Sequence, residues 1–175
     1  MRRVSLVLAL IVAACGTPKP PADVADAEAI GQATPSNDEK PGLPPYPDAK
    51  RLLQFGVVET PGFRFFIDPV SLSVDKDGVV RYTLVARSDE GAENVTYEGV
   101  HCASAKMRVY AVGISGAWSG RATPWRDPAT RWHRSLYQDY FCPQAKPIRN
   151  ARDGIYALEL GRHPDASVAG DPGGH

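Results

Sequence analysis

The sequence predicts an α+β fold: an antiparallel β-sheet meander packed by one or two C-terminal helices and stapled by one disulfide. Three observations predict it. Between Phe63 and Ile114 several stretches are aromatic, β-branched or alternate in polarity, with short turn-rich breaks between them. After Asp127 the apolar spacing changes to three and four. Two cysteines, Cys102 and Cys142, bracket that change.

The strands come first. Phe63-Arg64-Phe65-Phe66-Ile67 is aromatic and β-branched. Asp75-Lys76-Asp77-Gly78 is turn chemistry and leads into Val79–Ser88. There Val80, Tyr82, Leu84 and Ala86 share one face, with Arg81, Thr83 and Arg87 on the other. Glu90-Gly91-Ala92 makes a hairpin loop into Val95–Cys102. Lys106–Ile114 alternates again, Met107, Val109 and Ala111 opposing Arg108, Tyr110 and Val112. Short loops between consecutive strands imply antiparallel neighbours.

The helices follow. Asp127-Pro128 has the form of an N-cap with proline in the first turn. Trp132, Leu136 and Tyr140 then form an apolar stripe, which ends before Pro143. Trp132 is expected in the core. A second helix is expected after Pro147, carrying Ile148, Ala151, Ile155 and Leu158 on one side. Ile155–Leu160 also suits an edge strand. Gly154 inside that helix costs about 1 kcal/mol relative to alanine.

The amino terminus is expected to be a leader. Met1-Arg2-Arg3 is followed by the apolar run Val4–Ala14, too short to span a bilayer. Val12-Ala13-Ala14-Cys15 resembles a bacterial lipobox. The resemblance implies cleavage before Cys15, a diacylglyceryl thioether on its sulfur and acylation of the new amino group, palmitate being the expected kind of acyl chain. Gly16 after Cys15 resembles the class released to the outer membrane. The expected location is therefore the outer membrane, lipid-anchored and facing the periplasm, and two or more acyl chains suffice for stable anchoring.

The expected organisation is a signal peptide over 1–14, a proline-rich disordered tether over 15–50, one α+β domain over 51–162 and a disordered tail over 163–175. Eight of the chain's 16 prolines fall between Pro18 and Pro47. Without Arg2 and Arg3 the 20 basic residues fall to 18 against 20 acidic ones. That balance offers nothing to nucleic acid. Membrane contact is expected through the lipid alone.

In an oxidising envelope the remaining pair, Cys102 and Cys142, reads as a disulfide, two buried thiols being the alternative. Closing that loop stabilises by roughly 4 kcal/mol on the chain-entropy model.

From Phe63 to Cys142 several runs occur in order: Phe66-Ile67-Asp68-Pro69, Ser71-Leu72-Ser73-Val74, Asp77–Val85, Asn94–Cys102, Arg131-Trp132-His133 and Asp139-Tyr140-Phe141-Cys142. In these the chain resembles the cryptic neisserial protein one-like domain family of proteobacteria. The resemblance implies a periplasmic protein, and it implies no catalytic residues.

Candidate chemistry is sparse. His101, Cys102, His133 and Cys142 are the residue types of a zinc site, but the spacings of such sites are missing, so no metal is expected. No cofactor is expected either. Ser135, His133 and Asp139 are the residues of a hydrolase triad, yet Ser135 and His133 are two apart on a helix and face different ways. Asp68, Glu59 and Glu98 are carboxylates of the kind that flank a glycan. Asp75 and Asp77 before Gly78 look like a hairpin turn and lack the rest of a calcium loop. The suggestive surface is aromatic: Trp118 and Trp125 with Arg121 and Arg126, in a glycine- and proline-rich stretch, suit sugar or protein contact.

The function expected from all this is a non-enzymatic envelope lipoprotein, a tethered module contacting another envelope component, protein or glycan. The alternative is a peptidoglycan- or glycan-binding module using the Trp118–Trp132 segment. A periplasmic hydrolase is third.

Overall fold

The computed structural model describes residues 34–57, 60–120 and 122–167. Six strands follow one another in space as in sequence, each antiparallel to the next: β1 (Leu53–Phe55), β2 (Phe63–Val74), β3 (Val79–Ser88), β4 (Glu93–His101), β5 (Lys106–Ile114) and β6 (Ala117–Gly120). The expected meander is therefore the fold. Strands β1 and β6 were not anticipated, because three or four residues carry too little periodicity. Strand β6 forms because Ser115 and Gly116, with φ of 51° and 80°, make the tight turn that folds the chain back onto β5.

Two irregularities position side chains. In β2 the register jumps between Asp68 and Ser73. The hydroxyl of Ser71 fills the gap, accepting from the Thr83 N–H at 2.7 Å and donating to the Asp68 carbonyl at 2.9 Å. Between β4 and β5, Tyr97 faces Ala111 while Glu98 faces Val109, so Tyr110 is the extra residue of a bulge.

The main core lies on one face of the sheet, where Phe65, Ile67, Val80, Tyr82, Leu84 and Val100 meet the helices. Helix α1 (Arg131–Ser135) starts later than the sequence suggested. Thr130 is its cap, the hydroxyl accepting from the His133 N–H, whereas Asp127 is drawn away to Lys106 Nζ at 2.7 Å. After Ser135 the coil widens into a π-helical turn over Leu136–Phe141, with the Cys142 N–H donating to the Tyr137 carbonyl five residues back. Leu136, Tyr140 and Phe141 are buried on the sheet, and Cys142 is bonded to Cys102.

Helix α2 (Ala151–Leu160) is capped by Asn150, whose side chain accepts from the Asp153 N–H. The edge-strand reading of Ile155–Leu160 is thus replaced by helix. Gly154 sits where a Cβ would lie 2.6 Å from Ile148 Cδ1 and 2.8 Å from Leu72 Cδ2, so the missing side chain permits the close approach. Beyond α2 the chain stays packed. The His163 N–H donates to the Asp139 carbonyl and Ala166 is buried, so residues 163–167 are not the free tail expected of them.

The other departure is at the amino-terminal side. Residues 34–47, placed by composition in the disordered tether, form no helix or strand but lie as a strap on the second face of the sheet. Prolines 41, 44, 45 and 47 hold this segment extended and deny it a strand's donors. The Trp118 indole donates to the Pro44 carbonyl at 2.8 Å, and Arg108 donates to the carbonyls of Ser36 and Asn37. Tyr46 packs on Trp118 and reaches Gly113, where a Cβ would sit 2.6 Å from the Tyr46 hydroxyl. Composition missed this because a sheet covered by helices on one side still has a second side to bury. The expected signal peptide over 1–14 and Cys15 lie outside the described residues. Among the described residues no helix is long and apolar enough to cross a membrane.

Candidate binding groove beneath Trp132

The strand register builds the floor of a groove. Phe65, Ala86 and Asn94 form one row across three strands, and Leu84 and Thr96 the next. Tyr82, Glu98 and Val109 form the third row. All of these side chains alternate onto the helix-bearing face. Trp132 and His133 from α1, with Thr130 and Arg126, close the other side. The cavity measures about 420 Å³. Its wall is a run of near-parallel rings: Phe63 and Phe65 stand 6.3 Å apart, and Phe65 and Trp132 4.9 Å apart.

At the floor lies a buried carboxylate–imidazole pair. Glu98 is 2% exposed. Its Oε2 is 3.0 Å from His133 Nε2, and its Oε1 accepts from the Thr96 hydroxyl at 2.7 Å. His133 Nδ1 is 2.7 Å from the Thr130 hydroxyl. The Tyr82 hydroxyl also bonds Glu98, and burial together with that carboxylate holds the phenol's pKa well above its ordinary value. Both ring nitrogens of His133 are thus engaged. The pair orients and holds; it presents no uncommitted base to a substrate.

The second face carries another charged cluster. Arg81 is 2% exposed and ion-pairs with Asp75 at 2.6 Å, with Asp77, and with Glu39 of the strap. Arg108, equally buried, has strap carbonyls for partners and lies over the rings of Tyr110 and Trp125. Burial pushes the Tyr110 phenol up to about 12, against the opposing pull of Arg81 and Arg108.

The structure separates the residues singled out in the sequence. Trp118 is half-buried between Tyr46 and Tyr97, and Trp125 is half-buried edge-on to His101 and Tyr110. Both are tied to the strap, since the Trp125 N–H donates to Asn37 Oδ1. Arg126 is on the groove side, exposed at its rim. Arg121 lies outside the described residues, as does Glu59. Trp132, expected in the core, is instead a half-buried groove wall packed against it. Ser135 donates to Asp139 at 2.7 Å while His133 turns to Glu98, so the three form no triad. Asp68 accepts from the Val70 N–H inside the β2 irregularity. Asp75 and Asp77 serve Arg81. Cys102 and Cys142 are joined in a disulfide, which removes both thiolates from any metal-ligand set.

Sequence reasoning missed the groove and the Glu98–His133 pair. One signal was available. Thr96, Glu98, Val100 and Cys102 share a parity, so a carboxylate stood in an apolar stripe.

The fold's extent agrees with comparison to known proteins. A model of the CNP1-like family matches residues 32–159, from the strap to the last residues of α2. The chain belongs to the CNP1-like family. It is similar to Cryptic neisserial protein 1 of Neisseria gonorrhoeae (strain ATCC 700825 / FA 1090), 33% identical over 69 residues, which are 37% of this chain and 34% of that protein. The chain thus spans about a third of the length of the curated relative it matches. No solved structure matches it. Membership in the CNP1-like family bears out the resemblance carried by the strand and His–Cys motifs, and it includes the strap residues that composition had set apart.

Proposed function

We propose that this CNP1-like chain is a non-enzymatic lipoprotein of the cell envelope, anchored through Cys15 to the outer membrane and facing the periplasm. Its module contacts another envelope component through the groove beneath Trp132. The observation that carries this reading is the groove itself: an open apolar wall of Phe63, Phe65 and Trp132 over polar groups that are already paired with one another. Such a site is built to hold something and, among the described residues, has no free nucleophile or base lining it. The leader-like segment before Cys15 supports the compartment. A glycan held by Trp118 and Trp125 has less support, since both indoles are half-buried against other rings, and the Trp118 indole and the Trp125 backbone are fastened to the strap.

The test has two parts. Mass spectrometry of the mature amino terminus, after fractionation, is expected to find acylated Cys15 in the outer membrane, with Cys15→Ala released. A photo-crosslinking residue placed at Phe63 is expected to trap an envelope component in cells, whereas the same residue at exposed Tyr156 on α2 traps none. An unmodified terminus overturns the anchoring; equal trapping at both positions overturns the groove.

A further inference from the structure

We infer that the groove binds an anionic amphiphile: an acyl chain lies along Phe63, Phe65 and Trp132, and its negatively charged head is held by Arg126. This rests on the groove being the contact site and goes further by naming the chemistry of its occupant.

Three observations lead there. First, apart from the exposed Asn94, the polar groups of the floor are satisfied without a ligand. Glu98 holds Thr96 and His133, and His133 holds Thr130. A tail with nothing to hydrogen-bond therefore fits, whereas a sugar has many hydroxyls to satisfy and finds few free partners. The cavity, about 420 Å³, is within the range of small-molecule sites. Second, Phe63 is 47% exposed at the open end of the ring stack, so apolar surface remains there for a ligand to cover.

Third, among the described residues the rim carries an uncommitted cation. The backbone of Arg126 is fixed by paired hydrogen bonds with Met107, at 2.8 and 2.9 Å. Its guanidinium has no carboxylate or carbonyl partner among the described residues, and the side chain lines the cavity. Neighbouring charges are spent: Asp127 pairs with Lys106, and Arg134 donates to the Ala129 carbonyl. A fixed backbone under a free guanidinium beside an apolar cavity is complementary to a carboxylate or phosphate at the end of a hydrocarbon. Among the described residues that line the cavity, Glu98 is the one carboxylate a cationic head could seek, and it is buried behind its own donors.

The test uses the full chain carrying Cys15→Ala, purified without detergent, so that no attached acyl group competes. Decanoate and decyltrimethylammonium are titrated separately below their micelle concentrations, by calorimetry, with a melting curve confirming the fold at each end point. The expected result is 1:1 binding of decanoate, roughly tenfold tighter than of the cationic amphiphile. Arg126→Glu is expected to reverse that order, and Phe63→Asp to abolish decanoate binding while the protein stays folded. Equal affinity for both heads, or an order unchanged by Arg126→Glu, overturns the inference. Failure of decanoate to bind the folded protein overturns it as well. The contact reading then stands or falls separately, on whether Phe63 crosslinks an envelope component. Decanoate phosphate analogues, such as decyl phosphate, distinguish a carboxylate head from a phosphate head within the same chemistry.

Discussion

The indole N–H of Trp118 on β6 donates to the carbonyl of Pro44, 74 residues earlier in the chain, at 2.8 Å. This bond fastens the strap to the edge of the sheet, and Tyr46 packs its ring at a tilt of 53° against the same indole. Trp118→Phe keeps an aromatic ring, though a smaller one, but removes the donor, and is expected to cost at least about 1 kcal/mol. Trp118→Ala removes the packing as well and is expected to cost more. Urea unfolding of both variants checks the order; an unchanged midpoint for Trp118→Ala shows that the strap contributes nothing.

Glu98 and His133 form a buried pair, so each depends on the other. Glu98→Ala is expected to destabilise by about 3–5 kcal/mol, because the donors left behind lose their acceptor in a dry site. The double variant Glu98→Ala with His133→Ala is expected to lose less than the sum of the singles. A double-mutant cycle by denaturant unfolding measures the coupling, and additive losses reject the pairing.

The Cys102–Cys142 bond joins positions 40 apart in sequence and ties the end of β4 to the end of the π-helical turn. Replacing both cysteines by alanine is expected to lower stability by about 4 kcal/mol on the chain-entropy model. Thiol titration in denaturant should find no free thiol in the protein without Cys15. Two titratable thiols contradict the bond.

Alkaline pH should destabilise the strap face. The Tyr110 phenol has its pKa pushed up to about 12 in the folded chain, whereas an unfolded tyrosine titrates near its ordinary value of about 10. Between these pH values the folded chain keeps a proton that the unfolded chain has lost. Stability is therefore intact below pH 10 and falls as pH rises towards 12. Melting temperatures across this window, compared with Tyr110→Phe, test it. The variant is expected to show a shallower decline; identical slopes remove Tyr110 as the cause.

Gly154→Ala sets two effects against each other. Alanine gains about 1 kcal/mol of helix propensity. Its methyl group, however, would press on Ile148 and Leu72, both buried, and overpacking costs about 1–3 kcal/mol. A net loss of about 1 kcal/mol is expected. A higher melting temperature would mean that the two side chains yield without cost.

The sequence by itself determined the meander, the helix-bearing third and the cysteine pairing. Alternation along Val79–Ser88 and Lys106–Ile114 is a local property of neighbouring residues, and so is the spacing of Leu136 and Tyr140. Tertiary structure decided what the second side of each strand meets. Arg81, Arg108 and Tyr110 alternate as a solvent face would, yet they are buried, because residues 36–46 of the strap lie on them. Composition judged that strap by its prolines and could not weigh contacts made with residues dozens of positions away. The groove was hidden for the same reason. Phe65, Glu98, Arg126 and Trp132 come from four separate segments, and only the strand register, the β5 bulge and the Thr130 cap bring them to one cavity.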